Sequence, residues 1–401
     1  YPVHLVEREP VLGGNARHLQ STLRHRDVPR ILNELIARVE AEPAITVHTG
    51  VTLRQTDGFV GNFRSTITRA LGEEVIEEQV IPHGVLIVAT GAQERRTAQY
   101  LYGQDARVLT QRQLEERLAS GDFTLPLGRP GAVAMIQCVE SRTTEHPYCS
   151  RVCCSQALKN AIALKERWPD CTVAILYRDV RSYGLREKYY RQARDLGVLF
   201  LRYDLEPDAA GRGGPPRVER RGRDLTVTVY DPVLKQEVTL AVDALALSVG
   251  IAPQDDAYDL ARLLKLPVNA DRFFLEAHMK LRPVEFATEG VYLAGMAHGP
   301  KFVDEAIAQA QAAVARACTV LSKSELMSAG AVAHVDPFCC VACGDCALVC
   351  PYGAIEIVNK EVARRQFKDC AEVNPALCKA CGACAATCRS GCITLDGFDD
   401  R

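Results

Sequence analysis

Apolar residues along this chain fall into a repeating order of strand-like runs and helical faces. Residues 1–7 read as a strand ending in an acid, Glu7. Within 28–42, Ile31, Leu32, Leu35, Ile36 and Val39 return at the spacing of an amphipathic helix, and a strand follows at 45–48. Three β-rich stretches, 51–53, 64–69 and 74–80, predict a meander. Apolar runs at 84–92 and 244–250 each lead into a glycine, as a buried strand enters a turn. Residues 131–138 and 290–295 predict two more strands, while 156–167 and the alanine-rich 303–321 predict helices. This alternation predicts an α/β fold.

After residue 330 the apolar periodicity gives way to cysteines. Cys340, Cys343, Cys346 and Cys350 form C-x2-C-x2-C-x3-C, and Cys378, Cys381, Cys384 and Cys388 repeat it. This doubled run holds two iron–sulfur cubanes in bacterial ferredoxins, and its fourth cysteine serves the other cluster. Cys340, Cys343, Cys346 and Cys388 are therefore expected to hold one [4Fe-4S] cluster, and Cys378, Cys381, Cys384 and Cys350 the other. Zinc sites favour two separated pairs, which this order does not match. A shift of 38 residues lays every ligand on a ligand, so each half reads as strand, cluster loop, short helix and strand. Arg389 stands where the first half has Pro351, and Cys392 where it has Ala354. Two readings of Arg389 stand: a charge that raises a cluster's potential, or a solvated surface charge.

Composition narrows the class. At 401 residues, 47% hydrophobic and net charge −2, the chain has enough apolar material for two or three domains. The near-neutral balance gives no electrostatic case for nucleic acid or an anionic membrane. No apolar run reaches the ~18 residues of a spanning helix. Seventeen cysteines with ferredoxin spacing indicate a reducing compartment, the cytoplasm. Tyr1 is not a plausible start, and Glu7 matches the acid that accepts ribose hydroxyls at the end of the second strand of a dinucleotide-binding unit. The glycine turn before it is missing, so the expectation is a protein longer at its N-terminus by ~30 residues, the size of a βαβ unit.

Several stretches suit a flavin. Gly13, Gly14 and Asn15 allow close backbone approach to a pyrophosphate, although paired glycines are common in turns. Thr90 and Gly91 end a buried strand where FAD's adenine side passes in two-dinucleotide flavoproteins. Gly295 and Met296 follow the closing strand, with Lys301 beyond. Related enzymes usually carry an aspartate at the Met296 position to hold the ribityl chain, and backbone amides at Gly295 and Met296 are the expected substitutes. The helix at 303–321 offers its N-terminus to negative charge on the flavin.

Between the flavin halves, 129–248 is expected to be a nicotinamide-type domain, yet its phosphate turn is gone. Where G-x-G-x-x-G belongs the chain reads Cys138, Val139, Glu140, Ser141 and Arg142. Cys138, Cys149, Cys153 and Cys154 occupy this region, a set better suited to a third cluster than to a redox dithiol or to ordinary buried cysteines. Lys159, just beyond, is the candidate catalytic residue. It either sits over the flavin N5 or is a solvated lysine. Cys171 and Cys318 read as small core residues. Cys339, Cys370 and Cys392 are unassigned.

Gln137 to Val139, Pro147 to Cys154 and Gln156 to Asn160, together with Glu7, Leu12 to Ala16 and the two-cluster tail, closely resemble the HdrA-like family of heterodisulfide reductase iron–sulfur flavoproteins. The C-x10-C-x3-C-C block is the most specific part. The resemblance implies a thioredoxin-reductase-like two-dinucleotide-binding flavoprotein fold with a C-terminal α+β two-cluster bacterial ferredoxin domain. It further implies FAD, three [4Fe-4S] clusters and Lys159 near the isoalloxazine. By the resemblance, relatives carry a cluster-bearing N-terminal domain and a glycine turn ahead of the stretch that begins at Tyr1, and continue past Arg401.

The expected layout is 1–128 for the first part of the FAD domain, 129–248 for the degenerate nicotinamide-type domain, 249–330 for the FAD return and 331–401 for the ferredoxin domain. The reading is a cytoplasmic oxidoreductase subunit, active within a complex, that moves electrons between a two-electron flavin and one-electron clusters by flavin-based electron bifurcation. The expected partners are the other subunits of a heterodisulfide-reductase-like complex and iron–sulfur donors or acceptors, with a dimer within the complex as one arrangement. The alternatives are the equivalent subunit of a benzoyl-CoA-reductase-type or quinone-interacting complex, or a relay and scaffold that does not bifurcate.

Overall fold

A computed structural model of the chain describes residues 1–71, 74–126, 130–326, 331–363 and 366–398. They form two compact units: Tyr1–Thr56, Ser65–Ile81 and Ile87–Arg316 in the first, and Asp57–Arg64, Pro82–Leu86 and Ala317–Arg401 in the second. Among the described residues, no helix is long and apolar enough to cross a membrane.

The first unit opens with β1 (Val3–Glu7), helix α1 (Val28–Ala41) and β2 (Ile45–Thr49). β1 and β2 pair in parallel, with Glu7 opposite Thr49. Asp27 caps α1 by accepting from the Arg30 N–H at 2.9 Å, and a proline occupies the first turn, where its missing N–H goes unused. The meander forms as one three-stranded sheet, in the order Thr52–Phe59, Asn62–Leu71 and Glu74–His83.

Next come β3 (Val108–Thr110), α2 (Gln111–Ser120), β4 (Ala132–Val139), α3 (Cys153–Arg167), β5 (Thr172–Tyr177), α4 (Glu187–Asp195), β6 (Leu199–Arg202) and β7 (Ala244–Val249). The strands form one parallel sheet in the order β6-β5-β4-β7-β3. Both faces are covered, and the strand period of two divides the side chains cleanly. Val133, Met135, Val173, Ile175, Ala244 and Ala246 pack with the helices. Ala134, Ile136, Ala174, Leu176, Leu245 and Leu247 pack with Leu225, Val227 and Val229 of an antiparallel sheet on the other side. β4 lies in the middle, so its C-terminal end is the crevice where open α/β sheets receive ligands.

Two details differ from the sequence reading. α3 begins at Cys153, not at 156, because no side-chain cap marks its start: Val152 precedes it and makes no capping bond. The five-stranded sheet also includes β3, upstream of the expected boundary at 129.

In the second unit, β8 (Ala333–Val335), α5 (Asp345–Val349), β9 (Ile355–Ala363), β10 (Gln366–Val373), α6 (Ala383–Thr387) and β11 (Ile393–Leu395) repeat the same order twice. β8 pairs with β11 and β9 with β10, both antiparallel. The halves match down to single hydrogen bonds. Asp336 N–H donates to Cys392 C=O at 2.8 Å, and Asn374 N–H to Ala354 C=O at 2.7 Å. Gly344 and Gly382 precede the short helices at φ 81° and 79°, a conformation that glycine adopts without strain.

Leu158 is 1% exposed in the core that seats α3. Leu158→Ala is expected to lower unfolding stability by about 2–5 kcal/mol, because a cavity adds to the lost transfer energy. Denaturant titration followed by near-UV circular dichroism checks this; a loss under about 0.5 kcal/mol would show that the site collapses around the gap.

Candidate functional site

Cys138 is the penultimate residue of β4. Beyond it the chain takes the left-handed twist that glycines supply in a phosphate turn, but with side chains present: φ is 60° at Cys138, 54° at Glu140, 59° at Arg142 and 58° at Arg151. Each such residue costs about 1–3 kcal/mol, so the loop needs clamps. Gly250 N–H donates to Val139 C=O at 2.9 Å, the Ser141 hydroxyl to Tyr148 C=O at 3.0 Å, and the Tyr203 hydroxyl to Gln137 C=O at 2.7 Å. Arg178 donates to Arg142 C=O at 2.7 Å, while the Arg142 guanidinium pairs with Asp179 at 2.7 Å. The approach of Gly250 is close: a Cβ there would lie 2.9 Å from Glu140 C=O.

This loop returns Cys149 toward Cys138 and toward Cys153 and Cys154 in the first turn of α3. The thiolates would repel one another: Cys138 and Cys149 push up both Cys153 and Cys154, after burial, which is the larger cause. Burial raises Cys138, Cys153 and Cys154, the last to about 11, so these thiols keep their protons at neutral pH until a metal displaces them. Opposing positive charge comes from Arg142, whose guanidinium lies 3.9 Å from Cys138 Sγ, and the Arg151 backbone N–H lies 3.3 Å from Cys149 Sγ. Arg151 also ties the loop to Pro300 C=O at 3.0 Å and to Glu305 at 2.8 Å.

Lys159 is buried, its side chain 12% exposed, which removes the solvated reading. Its ammonium donates to Glu115 at 2.6 Å and to Ser21 C=O at 2.7 Å. Burial lowers its pKa, and Glu115 offsets this only in part. The same Glu115 oxygen accepts from Gln20 N–H at 2.8 Å, so one ion pair joins α2, α3 and the segment after Gly14. The sequence reading missed Glu115, since a glutamate on an amphipathic helix looks like a surface residue.

The residues expected around a flavin fall on converging loops. Glu7 closes β1 and accepts from Glu9 N–H at 2.9 Å. The Asn15 amide donates to Ala92 C=O, placing the Gly13–Gly14 turn beside Thr90 and Gly91. Ala294 N–H donates to Val88 C=O at 2.9 Å, bringing Gly295 and Met296 to the end of that same strand. Gly14, Gly91 and Gly295 have φ of 47°, 74° and 70°, and a Cβ at any of them would point into open space. Lys301 donates to Gly299 C=O at 3.3 Å; burial, then Arg151, lowers its pKa to about 8. Such bare, left-handed backbone fits a dinucleotide brought close to the chain.

In the second unit, Cys340, Cys343, Cys346 and Cys388 line one pocket, and Cys350, Cys378, Cys381 and Cys384 another. Backbone amides turn toward the sulfurs symmetrically. Ala342 and Ala371 N–H groups lie 3.5 and 3.4 Å from Cys340 Sγ, and those of Ala380 and Ala333 lie 3.5 and 3.4 Å from Cys378 Sγ. Among the described residues no three His, Cys, Asp or Glu side chains close on a single ion. A four-iron cube takes one thiolate at each iron, and each pocket presents at least four. Arg389 is 80% exposed and pairs with Asp345 at 2.9 Å, the surface-charge reading of the two. Cys370 and Cys171 are buried core residues, whereas Cys318 is half-buried.

Glu115→Ala would strand the Lys159 ammonium in the interior and is expected to cost about 3–5 kcal/mol in denaturant titration. Glu115→Leu with Lys159→Met is expected to cost less than that single change, since no charge is then left unpaired. A double variant less stable than Glu115→Ala would show that the pair itself carries the net stabilisation.

The 4Fe-4S binding domain family matches residues 333–356. The second iron–sulfur A-subunit of the CoB–CoM heterodisulfide reductase of Methanopyrus kandleri is 32% identical over 90% of this chain and 67% of its own length. The A-subunit of the ferredoxin/F420H2-dependent CoB–CoM heterodisulfide reductase of Methanosarcina acetivorans is 39% identical over 72% of the chain, which spans only 37% of that relative. Among solved structures, an HOCl-induced flavoprotein disulfide reductase of Escherichia coli covers 84% of the chain, and the chain covers 69% of it, at 14% identity and TM-score 0.48. The thioredoxin reductase of Streptococcus pyogenes aligns over 80% of this chain and 98% of its own, at 12% identity and TM-score 0.41. On the identity and coverage of its curated relatives, the chain belongs to the HdrA-like family of heterodisulfide reductase iron–sulfur subunits, which are oxidoreductase components.

Proposed function

We propose that this chain is the FAD and three-cluster subunit of a heterodisulfide-reductase-like complex in the cytoplasm, and that it splits electron pairs between two one-electron routes. The observation that carries this reading is the end of β4, where Cys138 stands in place of a phosphate turn, near enough to the paired cysteines that open α3 for its charge to act on both. A nicotinamide nucleotide has no pyrophosphate cradle here, so electrons would arrive through partner proteins.

Cys138, Cys149, Cys153 and Cys154 would hold one cluster. Cys340, Cys343, Cys346 and Cys388 would hold a second, and Cys350, Cys378, Cys381 and Cys384 a third. Glu7, Gly13, Gly14, Asn15, Thr90, Gly91, Gly295, Met296 and Lys301 would hold FAD. When bound, FAD supplies the exchange between two-electron and one-electron transfer, and the clusters carry single electrons. The chain's own part is geometry and field. Arg142 and Arg151 set positive charge and an N–H beside two of the four sulfurs, and the amides of the second unit do the same for Cys340 and Cys378. Hydrogen bonds of this kind raise a cluster's potential by favouring its more negative reduced state. Lys159, on the helix that begins at the paired cysteines, is desolvated and held by Glu115 at 2.6 Å, a positioned cation with a lowered pKa.

Purified anaerobically, the protein is expected to carry about twelve irons per chain. Cys149→Ala or Cys153→Ala is expected to remove about four of them and leave the about eight of the second unit. NADH alone is expected to leave the flavin oxidised. About eight irons in the parent protein, or prompt bleaching by NADH with no other protein present, would overturn the reading. Crossed one-electron flavin potentials in a redox titration are the result expected of electron splitting, and well-separated potentials in ordinary order that of a simple relay.

A further inference from the structure

The repeat of the second unit is broken at a buried position that lines one of its pockets. Cys392 occupies the place that Ala354 holds in the other half, as the matching backbone bonds from Asp336 and Asn374 establish. The backbone at Ala354 lies close to the fourth cysteine of its own half, with the Ala354 N–H 3.3 Å from Cys350 Sγ. In the second half the equivalent residue carries a thiol of its own. Cys392 Sγ lies 3.5 Å from Cys388 Sγ and 3.3 Å from the Ser390 hydroxyl. It is 5% exposed and lines the same pocket as Cys340, Cys343, Cys346 and Cys388. The pocket lined by Cys350, Cys378, Cys381 and Cys384 contains no fifth sulfur. The position lines a pocket in both halves, since Ala354 lines the other one, and of the two it is Cys392 that brings a sulfur to a pocket where four others already stand.

We propose that Cys392 is a reserve ligand for the pocket of Cys340, Cys343 and Cys346, able to take the place of Cys388 on the metal. The proposal rests on the ligand assignment above. In the exchange, the Fe–S bond to Cys388 breaks, one to Cys392 forms, and the Cys392 proton passes to the departing Cys388 sulfur. No electron moves, so no oxidant or reductant is required. The site thus has two thiols for one coordination position, and the other pocket has one. Loss or oxidation of Cys388 leaves this cluster intact, whereas the same damage at Cys350 breaks its partner.

The test compares full-length variants purified anaerobically, read by iron and acid-labile sulfide per chain and by electron paramagnetic resonance of the dithionite-reduced protein. Cys388→Ala is expected to keep about twelve irons, with g-values shifted because the new ligand enters from a different direction. Cys388→Ala combined with Cys392→Ala, and Cys350→Ala alone, are each expected to lose between about one and about four irons. Adding Ala354→Cys to Cys350→Ala transplants the reserve thiol, and is expected to restore the lost iron even if Cys388→Ala folds poorly. Equal iron loss in Cys388→Ala and in the double variant, together with no rescue by Ala354→Cys, overturns the proposal. Full iron retention in the double variant would instead overturn the assignment of Cys388 as a ligand, a distinct outcome.

Discussion

Ionised sulfur is a poor guest in a protein interior, and much of this chain is arranged around that difficulty. A thiol binds metal only as a thiolate, while burial in low dielectric favours the protonated form. The chain buries Cys153, Cys154, Cys340, Cys346 and Cys384 nonetheless, leaves Cys343 and Cys381 exposed, and sets donors beside several of the sulfurs. In the first unit these are the Arg142 guanidinium and the Arg151 backbone N–H. In the second they are the backbone amides of Ala342 and Ala371 beside Cys340. The difference follows from the loops. The short repeated loops curl N–H groups inward, and the longer loop after β4 adds to its own Arg151 N–H a guanidinium reaching back to Cys138.

That longer loop shows how an α/β crevice can be converted. The place at the end of a central parallel strand is set by the sheet, and a glycine turn there would normally accept a phosphate. The left-handed backbone is kept in this chain while the glycines are not. Cys138, Glu140 and Arg142 carry the strain, and Tyr148, Tyr203, Arg178 and Gly250 hold them against it. A side chain at Gly250 would collide with Glu140 C=O, so part of the converted turn depends on a glycine just past the end of the neighbouring strand.

α3 ties the sites of the first unit together. Its first turn carries Cys153 and Cys154, and the next turns carry Lys159 and Asn160. Lys159 reaches Glu115 and the chain after Gly14, while Asn160 bonds Gln111 at 2.8 Å. The cysteine loop and the glycine segment are therefore fixed to one rigid element. A change at either end is felt through a buried ion pair, where removal of one partner costs far more than removal of both.

Much of this was legible in the residues alone. The doubled cysteine spacing matches the run whose fourth cysteine serves the other cluster, and the two pockets group the sulfurs in that way. Continuous short apolar runs such as Val133 to Ile136, bounded by turn residues, indicate buried strands, since a strand covered on both faces is apolar throughout. Other features depend on tertiary contact. Val152 carries no cap signal, so the start of α3 at Cys153 is decided by packing, not by local chemistry. Glu115 is read as a surface residue until its helix is placed against α3, and Lys159 is ambiguous for the same reason. Cys392 is an unpaired cysteine in the sequence, and only folding brings its sulfur beside Cys388, because proximity between side chains four residues apart in a loop is set by how the backbone turns between them.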